Sequence, residues 1–325
     1  MKVYRSLQQL PVFNKTVLTI GTFDGVHLGH QQIIRQLIAE AKEREAESVL
    51  ISFYPHPRKV LKPEKEIAEL TTLEERIELL KEQGLDNLIV VPFDKIFAAQ
   101  TAQQYIQDFL VKLFRPSLII IGYDHKFGNN REGDFNLLQQ MGQTFGYDVQ
   151  EIPKQVLNEV AVSSTKIREA IAKGDAQTAN QLLGYTYFFR GYVVEGNKLG
   201  RKLGYPTANL QIQDAGKLVP ANGVYAVLAQ VEGDTRVLKG MMNIGTRPTV
   251  DGSQKTTEVN LFDFEEDIYN RHLKVFVKDH LRDEVKFNGL DKLIEQLNKD
   301  KEQSLQLLAC LLYTSPSPRD RTRPR

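Results

Sequence analysis

The sequence predicts a two-part α/β protein: a doubly wound parallel sheet covered by helices, then a small antiparallel β-barrel that ends in a helix. Three observations carry this expectation. Short unbroken apolar runs alternate with helical patterns from Val17 to about Ile152. After Gly184 the pattern changes to short strand-like segments punctuated by Gly, Pro, Asn and Asp, and a periodic stretch from about Leu290 to Leu308 closes the fold. A chain of 325 residues is also long for one compact domain, so two domains are the natural division.

Taken in order, the first apolar runs are 17–20, 49–53, 88–91 and 118–121, with periodic segments near 73–83, 102–114 and 135–145. Runs that are continuous rather than alternating, separated by helices, require a parallel sheet buried on both faces. A further helix follows Gly29 and places Ile33, Ile34, Leu37, Ile38 and Ala41 on one stripe. A helical pair at 165–172 and 175–183, stopped by Gly174 and Gly184, ends this part. The later strands are 187–195, 224–231, 237–243, 258–262 and 272–277, the last with Leu273, Val275 and Val277 alternating against Lys274, Phe276 and Lys278. That alternation suits a barrel with the terminal helix packed on it. Residues 311–325 carry prolines and four arginines without periodicity and read as a disordered basic tail or a cloning artefact. The expected division is therefore 1–184, 185–310 and a tail of 311–325.

Composition excludes several classes of function. Lys and Arg total 42 against 41 Asp and Glu, a net charge of +1; without the tail, 38 basic and 40 acidic residues remain, a net of −2. This balance offers no electrostatic footprint for nucleic acid or an anionic membrane, so any anion must be held locally. The single cysteine, Cys310, excludes a disulfide framework and a thiolate metal cluster. No apolar run reaches membrane-spanning length and the N-terminus lacks the layout of a signal peptide, so a soluble cytoplasmic protein is expected. Oligomeric state is not legible.

The most informative stretch is Gly21-Thr22-Phe23-Asp24-Gly25-Val26-His27-Leu28-Gly29-His30. It reads as a strand, a glycine-bearing turn and the first turn of a helix, where unpaired backbone N–H groups and the helix dipole favour a phosphate. His27 and His30 add side-chain donors, and Gly21, Gly25 and Gly29 remove bulk where a ligand would approach. The competing reading is that the histidines only cap or pack the helix start. A second candidate is Val162-Ser163-Ser164-Thr165-Lys166-Ile167-Arg168, hydroxyls at a helix N-cap with basic residues in the first turn. Those charges oppose the dipole unless an anion lies nearby; an ordinary cap with solvated basic side chains is the alternative.

Together these loops resemble the paired elements with which nucleotidylyltransferases grip a triphosphate. The resemblance extends further. The 21–30 segment, Phe53-Tyr54-Pro55-His56-Pro57, Gly122-Tyr123-Asp124-His125-Lys126-Phe127-Gly128 and the 163–168 segment follow the order of the FAD synthetase half of bacterial bifunctional riboflavin kinase/FAD synthetases. In the second part, Gly191, Gly196, Gly200 and the run Arg201-Lys202-Leu203-Gly204-Tyr205-Pro206-Thr207-Ala208-Asn209 resemble the riboflavin kinase signature, continued by 243–249, 258–264 and 281–287. Two positions depart from the family pattern: Asn260 stands where a histidine is usual, and Asn270 where a glycine is expected.

The resemblance implies a Rossmann-like nucleotidylyltransferase domain joined to a riboflavin kinase barrel, with riboflavin, FMN and ATP as ligands, Mg²⁺ as cofactor, and FMN and FAD as products. It implies that His27 and His30 stabilise phosphate charge in adenylyl transfer, with Gly21, Phe23, Asp24, Gly25, Ser164, Thr165 and Arg168 around the ATP. Asp24 would orient the loop or the nucleotide. In the kinase half, Gly196, Gly200, Thr207 and Asn209 would bind ATP, Thr207 and Asn209 would hold Mg²⁺, and Glu258 would be the general base. Asp124 and Phe127 are expected at the flavin in one site, Arg282 and Glu284 in the other. His56, between two prolines, touches substrate or shapes a turn. Two other readings stand beside this one: an adenylyltransferase for a different phosphate-bearing acceptor, and a non-catalytic flavin-nucleotide sensor.

Overall fold

The computed structural model describes residues 1–64, 67–123, 125–152, 163–196, 199–249 and 252–310, so the tail at 311–325 lies outside the described residues. The chain divides into two compact units, Met1–Lys166 and Ile167–Arg325.

The first unit is built on six parallel strands: β1 (Lys2–Tyr4), β2 (Thr16–Ile20), β3 (Glu47–Tyr54), β4 (Asn87–Pro92), β5 (Pro116–Gly122) and β6 (Asp148–Ile152). Their order across the sheet is β1-β4-β3-β2-β5-β6. Every residue of β2 is buried, because both sheet faces are covered. Leu18, Ile20, Val49, Ile51, Ile89, Val91, Ile119 and Ile121 face one core with Ile106, Phe109 and Leu110 of the 102–114 helical stretch, which winds as a π-helix over Tyr105–Val111. The Leu28–Glu43 helix packs with Ile33, Ile34, Leu37 and Ala41 buried and lies against β2 and β3. Two strands escape the apolar pattern of the sequence. Both β1, half-exposed over three residues, and β6, with one buried residue, are edge strands that bury too little to need apolar runs.

The chain leaves β2 outward through β3 and β4, then returns to β5 on the other flank of β2. Strand order therefore reverses at the carboxyl ends of β2 and β5, the place where open α/β sheets bind ligands. The 21–30 loop springs from that point.

The second unit is a closed antiparallel barrel of β7 (Phe188–Val194), β8 (Ala208–Gln211), β9 (Gly223–Val231), β10 (Leu238–Thr249), β11 (Gly252–Leu261) and β12 (His272–Arg282). The order around it is β10-β11-β8-β7-β12-β9. The expected barrel holds, with two additions. Strand β8 is a four-residue piece too short for a periodic signal, and β10 and β11 run longer than their apolar cores because polar residues continue the hairpin ladder. The closing helix spans Leu290–Cys310 and packs on β9, β10 and β12.

The helical pair, Ser164–Ala172 and Ala176–Leu183, is placed with the first domain by the sequence; the structure instead starts the second unit at Ile167. Long-range hydrogen bonds explain this. Asn180 Nδ2 donates to the Val277 carbonyl at 3.0 Å, the Tyr187 N–H donates to Asn180 Oδ1 at 2.6 Å, and Gln177 Nε2 donates to Asp279 Oδ2 at 2.8 Å. Asn270, where the family pattern has glycine, adopts φ +62°, the left-handed backbone that asparagine tolerates.

Asp175 caps the Ala176–Leu183 helix by accepting from the Thr178 N–H at 3.0 Å, and that bond holds its carboxyl below the ordinary value of 3.8. A depressed carboxylate stabilises the fold above its unfolded value and loses that contribution as pH falls through the folded one. Asp175→Ala should therefore lower stability at pH 7 by about 1 kcal/mol, measured by denaturant unfolding, with the gap to the parent closing in acid below pH 3.8. Asp175→Asn should keep most of the cap and lose its pH dependence.

Candidate active sites

The loop after β2 enters the Leu28–Glu43 helix through His27, its N-cap. His27 Nδ1 accepts from the His30 N–H at 3.3 Å. Capping is thus one of its roles, and it fixes the ring: with Nδ1 accepting, the neutral imidazole carries its proton on Nε2, a donor. The His27 and His30 rings stack with centroids 3.6 Å apart, and His30 leans on Phe23 at 4.9 Å. Phe23 in turn lies over Gly21, where a Cβ would come within 3.0 Å of the ring, so this glycine makes room for Phe23. The loop backbone is left-handed at Phe23 (φ +48°), Gly25 (φ +83°) and Val26 (φ +37°). A branched residue there stores strain, which persists only where surroundings over-determine it.

Those surroundings converge on Asp24, which is 1% exposed. Its carboxylate accepts from the N–H groups of Leu70 and Thr71, each at 3.0 Å, and from Thr71 Oγ1 at 3.0 Å. Asp24 orients the loop. Ser163 Oγ caps the next element by accepting from the Lys166 N–H at 3.3 Å, and Ser164 Oγ donates to the Asp24 carbonyl at 3.2 Å. The Ser/Thr segment and the glycine–histidine loop, far apart in sequence, therefore meet. Thr165 is exposed beside them, while Arg168 belongs to the second unit.

Of the flavin-side candidates here, Asp124 lies outside the described residues. Phe127 is 7% exposed and stacks on Tyr105 at 5.2 Å, within an aromatic cluster that includes Phe53, Phe97 and Phe109. Burial pushes the Tyr105 hydroxyl far above its ordinary range, so it stays protonated. His56 accepts from the Arg58 N–H at 3.1 Å and is buried, the turn-shaping role.

In the barrel, strand pairing builds the site. Arg282 of β12 stands opposite Val224 of β9, Val224 opposite Asn243 of β10, Asn243 opposite Glu258 of β11, and Glu258 opposite Asn209 of β8. Residues paired across strands point to one face, so a single row carries all five. This row lines a cleft of about 240 Å³ with Gly200, Thr207 and Glu284, walled by apolar Leu203, Met241, Phe287 and Leu297. Thr207 Oγ1 donates to Glu258 Oε2 at 3.3 Å. Close backbone approach explains two glycines: a Cβ on Gly196 would strike the Asn209 amide, and one on Gly200 would strike the Tyr205 carbonyl oxygen. A second cleft of about 390 Å³, lined by Phe264, Asp267 and Tyr269, also reaches Thr207.

Sequence reasoning picked out Asn260 only as a departure from the family pattern and Asn243 only within the 243–249 segment, and it missed Asp300 altogether. Asn260 is buried and donates to the Pro206 carbonyl at 2.7 Å, bracing the turn before Thr207. Asp300, 1% exposed, takes the Arg282 guanidinium in a fork, Nε to Oδ1 at 3.0 Å and Nη2 to Oδ2 at 2.8 Å, and accepts from Gln296 Nε2 at 2.8 Å. A helical acid 18 residues from its arginine leaves no local signal. Among the described residues, no group of three or more His, Cys, Asp or Glu could hold a metal ion, and no helix is long and apolar enough to cross a membrane.

The two folds, with the families that match them, define a two-domain nucleotide-processing enzyme. The FAD synthetase family model matches residues 10–166 and the riboflavin kinase model residues 183–308. The chain belongs to the family of bifunctional riboflavin kinase/FMN adenylyltransferases. It is 40% identical to that enzyme of Escherichia coli strain K12 over 303 residues, 93% of this chain and 96% of the relative, and 36% identical to that of Bacillus subtilis strain 168, covering 91% and 94%. A crystal structure of a Streptococcus pneumoniae protein, named there a macrolide-efflux protein, matches with a TM-score of 0.82 at 31% identity, over 93% of this chain and 98% of that one. The chain phosphorylates riboflavin with ATP to FMN, and adenylylates FMN with ATP to FAD and pyrophosphate.

Because Asp300 clamps Arg282, Asp300→Ala should leave a poorly paired cation in the cleft and destabilise the second unit by about 3 kcal/mol. The riboflavin KM should rise at least fivefold with FMN adenylylation unchanged, as read from separate kinase and adenylyltransferase assays.

Proposed function

We propose that the two reactions are divided between the two units, adenylyl transfer at the 21–30 loop and phosphorylation at the barrel row. In the first, an FMN phosphate oxygen attacks the α-phosphorus of ATP; the new P–O bond forms as the bond to the β-phosphate bridge breaks, and pyrophosphate leaves. The chain's part is charge stabilisation. His27 presents Nε2–H, and His30, Ser164 and Thr165 add donors beside a helix N-terminus.

At the barrel, the apolar walls of the first cleft suit the flavin ring system, and Gly200, Thr207 and Asn209, which line the same cleft, suit the ATP phosphates. Glu258 takes the proton from the ribityl primary hydroxyl as its oxygen attacks the γ-phosphorus and ADP departs. Thr207 orients that carboxylate. Arg282, held by Asp300, and Glu284 position the flavin from the opposite wall. The hydroxyl of Thr207 and the amide oxygen of Asn209 are hard oxygen donors, which fit Mg²⁺ rather than a softer metal, and Glu258 serves as the base. When bound, Mg²⁺ neutralises phosphate charge. Consumption of ATP in both steps suits the cytoplasm, and the near-neutral charge gives nucleic acid no hold.

The single observation that carries this reading is the in-register row from Arg282 to Asn209, which sets Glu258 between Asn243 and Asn209 on one face of the barrel. His27→Ala with His30→Ala should abolish FAD formation and spare FMN formation, and Glu258→Gln should lower FMN formation about a hundredfold or more while sparing adenylylation. Chromatography of riboflavin, FMN and FAD over time checks both; loss of both activities in either folded variant would refute the division. Asn209→Ala should raise the Mg²⁺ concentration needed for half-maximal kinase activity several-fold and leave the adenylyltransferase requirement unchanged.

A further inference from the structure

The 21–30 loop is held from behind by residues that the reaction does not use. Thr71, 2% exposed, is at the centre. Its hydroxyl donates to Asp24 Oδ1 at 3.0 Å and accepts from the Gly25 N–H at 3.1 Å and, at 3.5 Å, from Arg76 Nε. The side chain therefore holds the peptide that passes through left-handed backbone at Phe23, Gly25 and Val26.

Around it lies a set of charges, with Arg76, Glu69 and Asp24 buried and Lys59 partly exposed. Arg76, 1% exposed, bonds Glu69 Oε2 at 3.0 Å and lies 3.9 Å from Asp24 Oδ1, and Lys59 reaches Glu69 Oε1 at 2.5 Å. Arg76 Nη1 also donates to Ser52 Oγ at 3.5 Å, and Ser52 Oγ donates to the Thr22 carbonyl at 3.2 Å. Arg76 and Lys59 thus face Glu69 and Asp24, and the loop is gripped at Thr22, Asp24 and Gly25. Thr71 is itself fixed, because Thr72 opens the Leu73–Lys81 helix with a reciprocal capping box to Glu75. A rigid helix start thus clamps the strained loop.

We propose that Thr71 is a positioning residue for adenylyl transfer, its hydroxyl holding the 21–30 loop in the one backbone geometry that aims the His27 and His30 donors at the phosphates. The inference rests on the reading of that loop as the adenylyl-transfer site. Preorganised donors act only where the developing charge will lie, and a misplacement of about 1 Å can cost a hundredfold in rate. Loss of the hydroxyl should accordingly act on turnover more than on binding.

Thr71→Val keeps the shape and removes the hydroxyl; Thr71→Ser keeps the hydroxyl and removes a methyl. In the full chain, Thr71→Val should lower the kcat for FAD formation at least tenfold with the FMN KM within threefold. Riboflavin phosphorylation in the same preparation should stay within twofold, and Thr71→Ser should restore the adenylyltransferase kcat to within threefold of the parent. If Thr71→Val does not accumulate as folded protein, Thr71→Cys, which weakens the donor at similar volume, should still lower that kcat at least fivefold. The proposal fails if folded Thr71→Val, or failing that Thr71→Cys, keeps the parental kcat, or if folded Thr71→Ser is as slow as they are. A lowered unfolding temperature with unchanged kcat overturns it equally, since that is what a purely structural role would give. If His27→Ala with His30→Ala leaves FAD formation intact, the reading of the loop itself has failed, an outcome distinct from a silent Thr71.

Discussion

Backbone hydrogen bonding between strands is the constraint on which both sites of this chain rest. Each strand must pair its N–H and C=O groups, and pairing fixes register; a slip by one residue would turn every inward side chain outward. In the barrel, register sets Arg282, Asn243, Glu258 and Asn209 side by side although they come from four strands. In the first unit it sets β2 between β3 and β5, so the chain reverses its course across the sheet where the glycine–histidine loop emerges.

On the proposed reading, the two sites answer the same problem, phosphate charge, by different means. The loop after β2 would use imidazoles, hydroxyls and the N–H groups of a helix start as donors. Such donors need exact aim, and the buried contacts of Asp24, Thr71 and Arg76 hold the loop that carries them. The barrel row presents oxygen ligands and a carboxylate, suited to a hard cation and to proton removal. Its aim comes from the barrel ladder, and from Asp300 of the terminal helix holding Arg282.

The departures from the family pattern fit this picture. Asn270 takes the left-handed conformation that glycine would take. Asn260 holds the Pro206 carbonyl and so steadies the approach to Thr207, without touching the pairing of Glu258 with Asn209 and Asn243. Both are accommodated within the barrel's own ladder.

Much of the architecture was legible in the residues alone. Apolar runs 17–20 and 118–121 are strands because their burial on both faces leaves no polar alternation, and Phe135–Phe145 is a helix bounded by Asp134 and Gly146, caps visible in the sequence. Family motifs singled out Thr207, Asn209, Glu258, Arg282 and Glu284, which the fold brings to one cleft. What tertiary structure alone decided are the edge strands β1 and β6, the attachment of the Ala176–Leu183 helix to the barrel, and the partners of Asp24 and Arg282. Periodicity and caps are properties of neighbouring residues, so sequence carries them. The bond from Thr71 to Asp24 spans 47 residues and that from Arg282 to Asp300 spans 18, and such pairs exist only once packing has excluded water and left each buried polar group one place to bond.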